Sequence, residues 1–280
     1  MQFTSWGRVE RVKGIISQGE YTKKDNMSTS TIINWGDICD RIVCLLYLPN
    51  KNRMPWCEIE LKRVGIWDSG NFSFDYGVPS VFDSAIYEAF RNRYNCQLKP
   101  HYLSYTLQYE RVLEQSYAMG ANRTLIIEDD CCFLKDLGKL KVALESMPSD
   151  FEVFQFDKGM YSSRLPAWNN RKYHYSVNDS WCDCTNTPFV LSTANVYTLK
   201  AIQKILEKIK TNICESDQIS RWYEGKWAIA KENLCIQLSY ENSHMVAACG
   251  KNKMHDIYKP LDIDYNNYNT PKGFGYGKTI

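Results

Sequence analysis

The order of apolar and polar positions along the chain predicts an alternation of strands and helices. A continuous apolar run over residues 42–48 ends at Pro49 and suits a strand buried on both faces of a parallel sheet. Shorter apolar runs predict further strands over residues 124–127, 152–156, 189–192 and 234–238. Apolar residues at helical spacing predict helices over residues 56–64, 83–94, 102–119 and 193–209.

This alternation indicates an α/β fold in which a mostly parallel sheet carries helices on both faces. A length of 280 residues fits a single large domain with additions at its ends. The polar stretch near residues 23–31 and the glycine-rich end of the chain mark those additions. We expect an N-terminal extension over 1–36, a folded domain over 37–258 and a C-terminal tail over 259–280.

Composition and charge exclude several classes of protein. A net charge of +2 without a basic run argues against a nucleic-acid partner. The first twenty residues hold no apolar core of a signal peptide, and the run at 42–48 is too short to span a bilayer. We therefore expect a cytoplasmic protein without a transmembrane segment, with peripheral membrane contact left open.

Eleven cysteines raise the question of a disulfide framework. The count is odd and Cys131 is adjacent to Cys132, which is poor geometry for two structural bridges. A zinc site is not indicated either, because no pair has the Cys-x-x-Cys spacing. We expect reduced thiols that pack as small hydrophobic side chains.

Three consecutive carboxylates, Glu128, Asp129 and Asp130, follow the strand predicted over 124–127. Their mutual repulsion is costly unless a cation or hydrogen-bond donors offset it, and hard oxygen ligands favour Mg²⁺ or Mn²⁺. Ligands of open α/β sheets bind at the carboxyl ends of strands, where these residues fall. We expect Asp130 and then Asp129 as metal ligands, with Glu128 and Asp129 also near a nucleotide or sugar. The alternative is a solvated turn or helix N-cap.

Blocks around this motif carry a family resemblance. Residues 40–53 read DRIVCLLYLPNKNR, residues 60–66 read ELKRVGI, and residues 103–111 lead into LIIEDD at 125–130. In order and spacing these blocks resemble glycosyltransferase family 25, the lipooligosaccharide and procollagen galactosyltransferase group. The similarity covers roughly residues 39–240, and Tyr105 stands where the family usually has histidine.

The resemblance implies a GT-A (Rossmann-like) fold and a metal ion, Mn²⁺ or Mg²⁺, bound through the acidic motif. It also implies a nucleotide-sugar donor, for which we expect a UDP-sugar. The reaction would be transfer of the sugar to a glycan or hydroxylated acceptor with inversion.

Further candidates complete such a site. An inverting transfer needs a general base, and Asp217 is at a chain position similar to a late aspartate of the family, although it is also placed to cap a helix. His255, preferred to His244 because a lysine and an aspartate flank it, is a candidate for a metal or diphosphate contact. Arg53 with Asn50 follows the first strand, where a guanidinium would hold phosphate oxygens unless this is a solvent-facing turn.

Two other functions use similar chemistry. A metal-dependent nucleotidyl- or phosphotransferase would be expected to carry a glycine-rich phosphate loop after its first strand, and residues 48–51 contain none. A catalytically inactive sugar-binding relative would be expected to have lost its carboxylates, whereas all three are present. The aromatic and amide side chains of residues 159–188 suit a loop that covers a sugar.

Overall fold

The structure is a computed structural model that describes residues 32–46, 54–77, 84–94, 100–157, 175–185, 193–209, 219, 223–237 and 267–269. All of them belong to the compact unit Thr31–Ile280. Its helices in the described ranges are α1 (Trp35–Ile38), α2 (Met54–Arg63), α3 (Ser84–Tyr94), α4 (Pro100–Ala118), α5 (Leu137–Glu145) and α6 (Leu199–Ile209). Its strands there are β1 (Arg41–Leu46), β2 (Phe72–Tyr76), β3 (Arg123–Glu128), β4 (Cys131–Phe133), β5 (Val153–Gln155), β6 (Tyr175–Ser176), β7 (Trp181–Asp183), β8 (Ala194–Thr198), β9 (Trp227–Ala230) and β10 (Cys235–Gln237).

Eight strands form one sheet in the order β2-β1-β3-β8-β5-β9-β7-β6, and β4 and β10 form a separate antiparallel pair. Six of the eight strands run in one direction, whereas β7 and β8 run against them. The α/β class and a sheet of mostly one strand direction are therefore confirmed. The sheet is mixed, because the antiparallel β8 lies at its centre between β3 and β5.

Helices cover both faces of this sheet, as the sequence predicted. Helices α1, α2 and α5 pack with Ile42 and Ile127 on one face. Helices α4 and α6 pack with Val43 and Ile126 on the other. Successive residues of a strand point to opposite faces, so the continuous apolar runs of β1 and β3 contribute to both cores at once.

The end of α2 shows why its sequence stops the helix where it does. Gly65 has φ +79°, a left-handed conformation that glycine adopts without a steric penalty. The N–H of Ile66 donates to the Leu61 carbonyl at 2.9 Å and that of Gly65 to the Lys62 carbonyl at 3.1 Å, the two bonds of a Schellman motif. The predicted helix end at Gly65 is confirmed.

The prediction of a helix over residues 193–209 was wrong for its first residues. Residues Ala194–Thr198 form β8, and the helix begins only at Leu199. Val196 and Leu199 share a helical spacing with the later apolar residues. For this reason the periodicity predicted a helix that included the residues of β8. Strand pairing of β8 with both β3 and β5 satisfies its backbone instead. The strand predicted over 189–192 lies outside the described residues.

Both ends of the described chain reach the core. Trp35 is buried, and its indole N–H donates to the Val64 carbonyl at 2.7 Å. Tyr268 is also buried and bridges Leu134, just after β4, in antiparallel fashion. These two residues lie in the segments expected to be an extension and a tail, so the packed unit includes parts of both. None of the helices in the described ranges is long and apolar enough to cross a membrane.

The cysteines of the described part are free thiols, as expected. Seven of these eight are buried: Cys39, Cys44, Cys57, Cys131, Cys132, Cys184 and Cys235. Burial raises the pKa of Cys39 to about 12. Such thiols stay protonated at neutral pH, which makes them packing residues and poor nucleophiles.

A charged cluster holds the amino-terminal end of β5. Glu152 accepts hydrogen bonds from Lys200 at 2.6 Å and Lys204 at 2.8 Å, and also from the Tyr223 hydroxyl. Burial raises the pKa of Glu152, but the hydrogen bonds from Lys200, Lys204 and Tyr223 outweigh burial and lower it from 4.5 to about 2. The ionised carboxylate thus ties β5 to α6 and to the segment before β9.

This pKa predicts a pH dependence of stability. A depressed pKa in the folded state means that the stabilisation is present above pH 4.5 and is lost as the pH falls towards 2. We expect Glu152→Gln to lower the free energy of unfolding by about 1–3 kcal/mol at pH 7 and to flatten its decline at acid pH. Urea unfolding at several pH values measures both effects. The control Glu207→Gln, exposed on α6, should change neither, and an unaltered acid decline in Glu152→Gln would contradict the assignment.

Candidate functional site

The acidic motif lies where the sequence predicted, at the carboxyl end of the buried strand β3. Glu128 is the last residue of the strand, and Asp129 and Asp130 form the turn into β4. Asp129 is 5% exposed and Asp130 4% exposed, so these carboxylates are not part of a solvated surface turn. No helix follows them directly, which removes the alternative of an N-cap.

Glu128 points towards the α4 face, and two elements bond its carboxylate. The Tyr105 hydroxyl, on α4, donates to Oε1 at 2.5 Å. The side-chain amide of Gln237, at the end of β10, donates to Oε2 at 2.9 Å. The strand itself is fixed here, because the Glu128 N–H donates to the carbonyl of Thr193 at 2.8 Å.

The two aspartates lie close enough to the Cys44 thiol to affect its pKa. The hydrogen bond with Cys57 and burial raise the pKa of the Cys44 thiol on β1, and the charges of Asp129 and Asp130 raise it further. Cys44 belongs to the core that faces α2, not to the one that faces α4. Asp130 acts on both Cys44 and Cys235, so the end of this turn lies between β1 and β10.

Asp157 is a fourth carboxylate of this edge, and sequence reasoning missed it. It lies two residues after β5 and is only 3% exposed. Thr193, just before β8, joins it to the motif, because its hydroxyl donates to Asp157 Oδ2 at 3.0 Å while its carbonyl accepts the Glu128 N–H. The sequence does contain a signal for Asp157, because it directly follows the strand predicted over residues 152–156.

Several carboxylates of this edge raise the pKa of the same buried thiol, Cys235. Burial raises the pKa of Cys235 on β10, a hydrogen bond with Cys131 partly offsets this, and the charges of Asp157, Glu128 and Asp130 raise it further. Carboxylates from the ends of β3 and β5 thus act on the same buried position. Their concentration at one edge costs free energy, which a bound cation would offset.

A buried carboxylate supports the strand that follows the motif. Glu60, on α2, is 1% exposed and accepts the backbone N–H of Phe133 in β4 at 2.8 Å. Arg63 donates to both Glu60 oxygens, at 2.9 and 2.5 Å, and the Asn269 amide donates at 3.0 Å. The ELKRVGI block therefore helps to place β4, whose first residue, Cys131, directly follows Asp130.

The structure brings together the three predicted residues of the acidic motif. The predicted base Asp217, the predicted phosphate contacts Arg53 and Asn50, and the histidines His255 and His244 lie outside the described residues. Most of the predicted covering loop, 159–188, also lies outside them. The roles of all these residues stay predictions.

The donor atoms of the motif decide which metal would fit. Asp129 and Asp130 offer hard carboxylate oxygens, which suit Mg²⁺ or Mn²⁺ and not soft cations. Within the described ranges, no group of three or more His, Cys, Asp or Glu residues is arranged to hold a metal ion. Mg²⁺ and Mn²⁺ usually take one or two protein carboxylates and complete their shell with water and phosphate oxygens, and their binding here stays a prediction.

Comparison with known proteins adds no assignment. No protein-family model matches the chain, and no curated protein matches its sequence.

Proposed function

We propose that this protein is a metal-dependent glycosyltransferase of the GT-A type that transfers a sugar from a nucleotide-sugar, foremost a UDP-sugar, to a glycan acceptor with inversion. One observation carries the proposal: two buried aspartates follow a central sheet strand at its carboxyl end, beside a third buried carboxylate, Asp157. Open α/β sheets bind nucleotides at this edge. The resemblance of blocks 40–66 and 103–130 to family 25 supports the same reading.

In this proposal Asp130, and then Asp129, hold Mn²⁺ or Mg²⁺ through their carboxylate oxygens, and His255 adds a contact from the later chain. The metal, when bound, offsets the charge that develops on the departing nucleoside diphosphate. Burial of the two aspartates lowers the local dielectric around their carboxylates, which strengthens their attraction for a cation.

The remaining roles follow the needs of the reaction. Glu128 orients hydroxyl groups of the nucleotide or sugar, while Arg53 and Asn50 hold the diphosphate. Asp217 removes the proton of the acceptor hydroxyl as that oxygen attacks the anomeric carbon from the face opposite the leaving group.

A donor screen tests the proposal directly. Thermal shift and donor hydrolysis are measured with Mn²⁺, with Mg²⁺ and with EDTA across UDP- and GDP-sugars. We expect at least one UDP-sugar to raise the melting temperature in the presence of metal only, because ligand binding to the folded state adds stability.

Other outcomes favour the competing functions. Metal-dependent cleavage of nucleoside triphosphates without any response to nucleotide-sugars would indicate a nucleotidyl- or phosphotransferase. Binding of sugars without metal or nucleotide would indicate an inactive relative. If no nucleotide-sugar binds in the presence of metal, the transferase proposal fails.

A further inference from the structure

The carboxylate of Glu128 is held by residues that are far apart in the chain. Tyr105 lies on α4 and Gln237 at the end of β10, and each donates to a different oxygen of the carboxylate. Hydrogen bonds to an ionised acceptor are stronger than neutral ones, and two from opposite sides fix the rotation of the group. The bond to Tyr105 is short, at 2.5 Å.

Tyr105 projects from a part of α4 that is packed into the core. Its neighbours on α4, Leu103, Thr106 and Leu107, are buried, and its ring lies 5.9 Å from the Tyr109 ring. Helix α4 packs along α6 and over β1, which fixes the backbone from which the Tyr105 side chain projects. Gln237 is held by the pairing of β10 with β4, where Gln237 lies opposite Cys131.

We propose that Tyr105 and Gln237 are positioning residues of a nucleoside-diphosphate site, which act by holding the Glu128 carboxylate in its binding orientation. This inference rests on the proposed function and deepens it. A carboxylate whose orientation is set before the ligand arrives loses less conformational freedom on binding, which raises affinity without a new contact. The affinity for the nucleotide then depends on α4 and β10 as well as on β3, the strand that ends at Glu128.

The first test removes single hydroxyl groups from α4. Titration calorimetry with UDP in the presence of Mn²⁺ compares the wild type with Tyr105→Phe and Tyr109→Phe, and with Gln237→Leu, which removes the second donor to Glu128. Tyr109 is a matched control, because its hydroxyl donates to Tyr197 at 2.7 Å and not to Glu128. We expect Tyr105→Phe and Gln237→Leu each to weaken UDP binding about tenfold, the value of a hydrogen bond to a charged group. Tyr109→Phe should retain the affinity while lowering the melting temperature.

A double-mutant cycle separates positioning from a general structural role. If Tyr105 acts through Glu128, Tyr105→Phe should weaken UDP binding far less in a Glu128→Gln background than in the wild type. A merely structural role would give the same factor in both backgrounds. That result, or unchanged affinity of Tyr105→Phe, would overturn the inference alone. Absence of UDP binding by the wild type would overturn the proposed function, and this inference with it.

Discussion

Replacing Asp130 with asparagine is expected to abolish Mn²⁺-dependent binding of UDP. Asparagine keeps the shape of the buried side chain but removes the charge that would hold the cation. Outer-shell partners of metal ligands are already worth roughly 10–100-fold in metal affinity, so loss of the ligand charge should exceed about hundredfold. Calorimetric titration with UDP and Mn²⁺ measures the change.

The control for this prediction is Asp68→Asn, in the exposed turn after α2, which alters the net charge equally and should bind UDP like the wild type.

Asp217→Asn should retain UDP binding and lose sugar transfer, because a general base acts on the acceptor and not on the donor. Equal loss of binding in Asp130→Asn and Asp217→Asn would remove Asp217 from the base role. Normal binding by Asp130→Asn would contradict its place at the metal.

Replacing Glu60 with glutamine is expected to cause a large loss of stability. The side chain is 1% exposed and accepts hydrogen bonds from Arg63, the Phe133 backbone and Asn269. Without the carboxylate charge, the guanidinium of Arg63 loses its ionic partner and keeps only its bonds to the Phe133 and Leu134 carbonyls. We expect a loss of about 2–3 kcal/mol, the value of hydrogen bonds to a charged group. Urea unfolding measures the loss.

The same helix offers the control. Glu58 pairs with Lys62 on the exposed side of α2, so Glu58→Gln should cost about 0.5 kcal/mol or less. Comparable losses in the two variants would show that the Glu60 network contributes little. Because the Phe133 N–H lies in the strand that follows Asp130, Glu60→Gln should also weaken UDP binding.

Several elements were predictable because their signals are local. Strands β1 and β3 are buried on both faces, which requires a continuous apolar run that the sequence displays directly. The end of α2 was predictable because Gly65 adopts a conformation that other residues rarely adopt. The position of Glu128, Asp129 and Asp130 at a strand end followed from the same reasoning.

Other elements were not predictable, for identifiable reasons. Strands β4 and β9 have three and four residues, too few for a period to emerge. Residues 194–198 fit a helical spacing, and only their pairing with β3 and β5 makes them a strand.

The sequence by itself determined the α/β class and the buried strand that leads into the acidic motif. It also showed that three adjacent carboxylates need a cation or hydrogen-bond donors to offset their repulsion. Only the tertiary structure decided that β8 separates the strand of Glu128 from the strand before Asp157, with Thr193 bonded to both residues. It also decided that Tyr105 and Gln237 bond the Glu128 carboxylate. The physical reason is that side-chain periodicity follows from local geometry, whereas the order of strands in a sheet depends on pairing between segments far apart in the chain, such as β1 with β3 and β3 with β8.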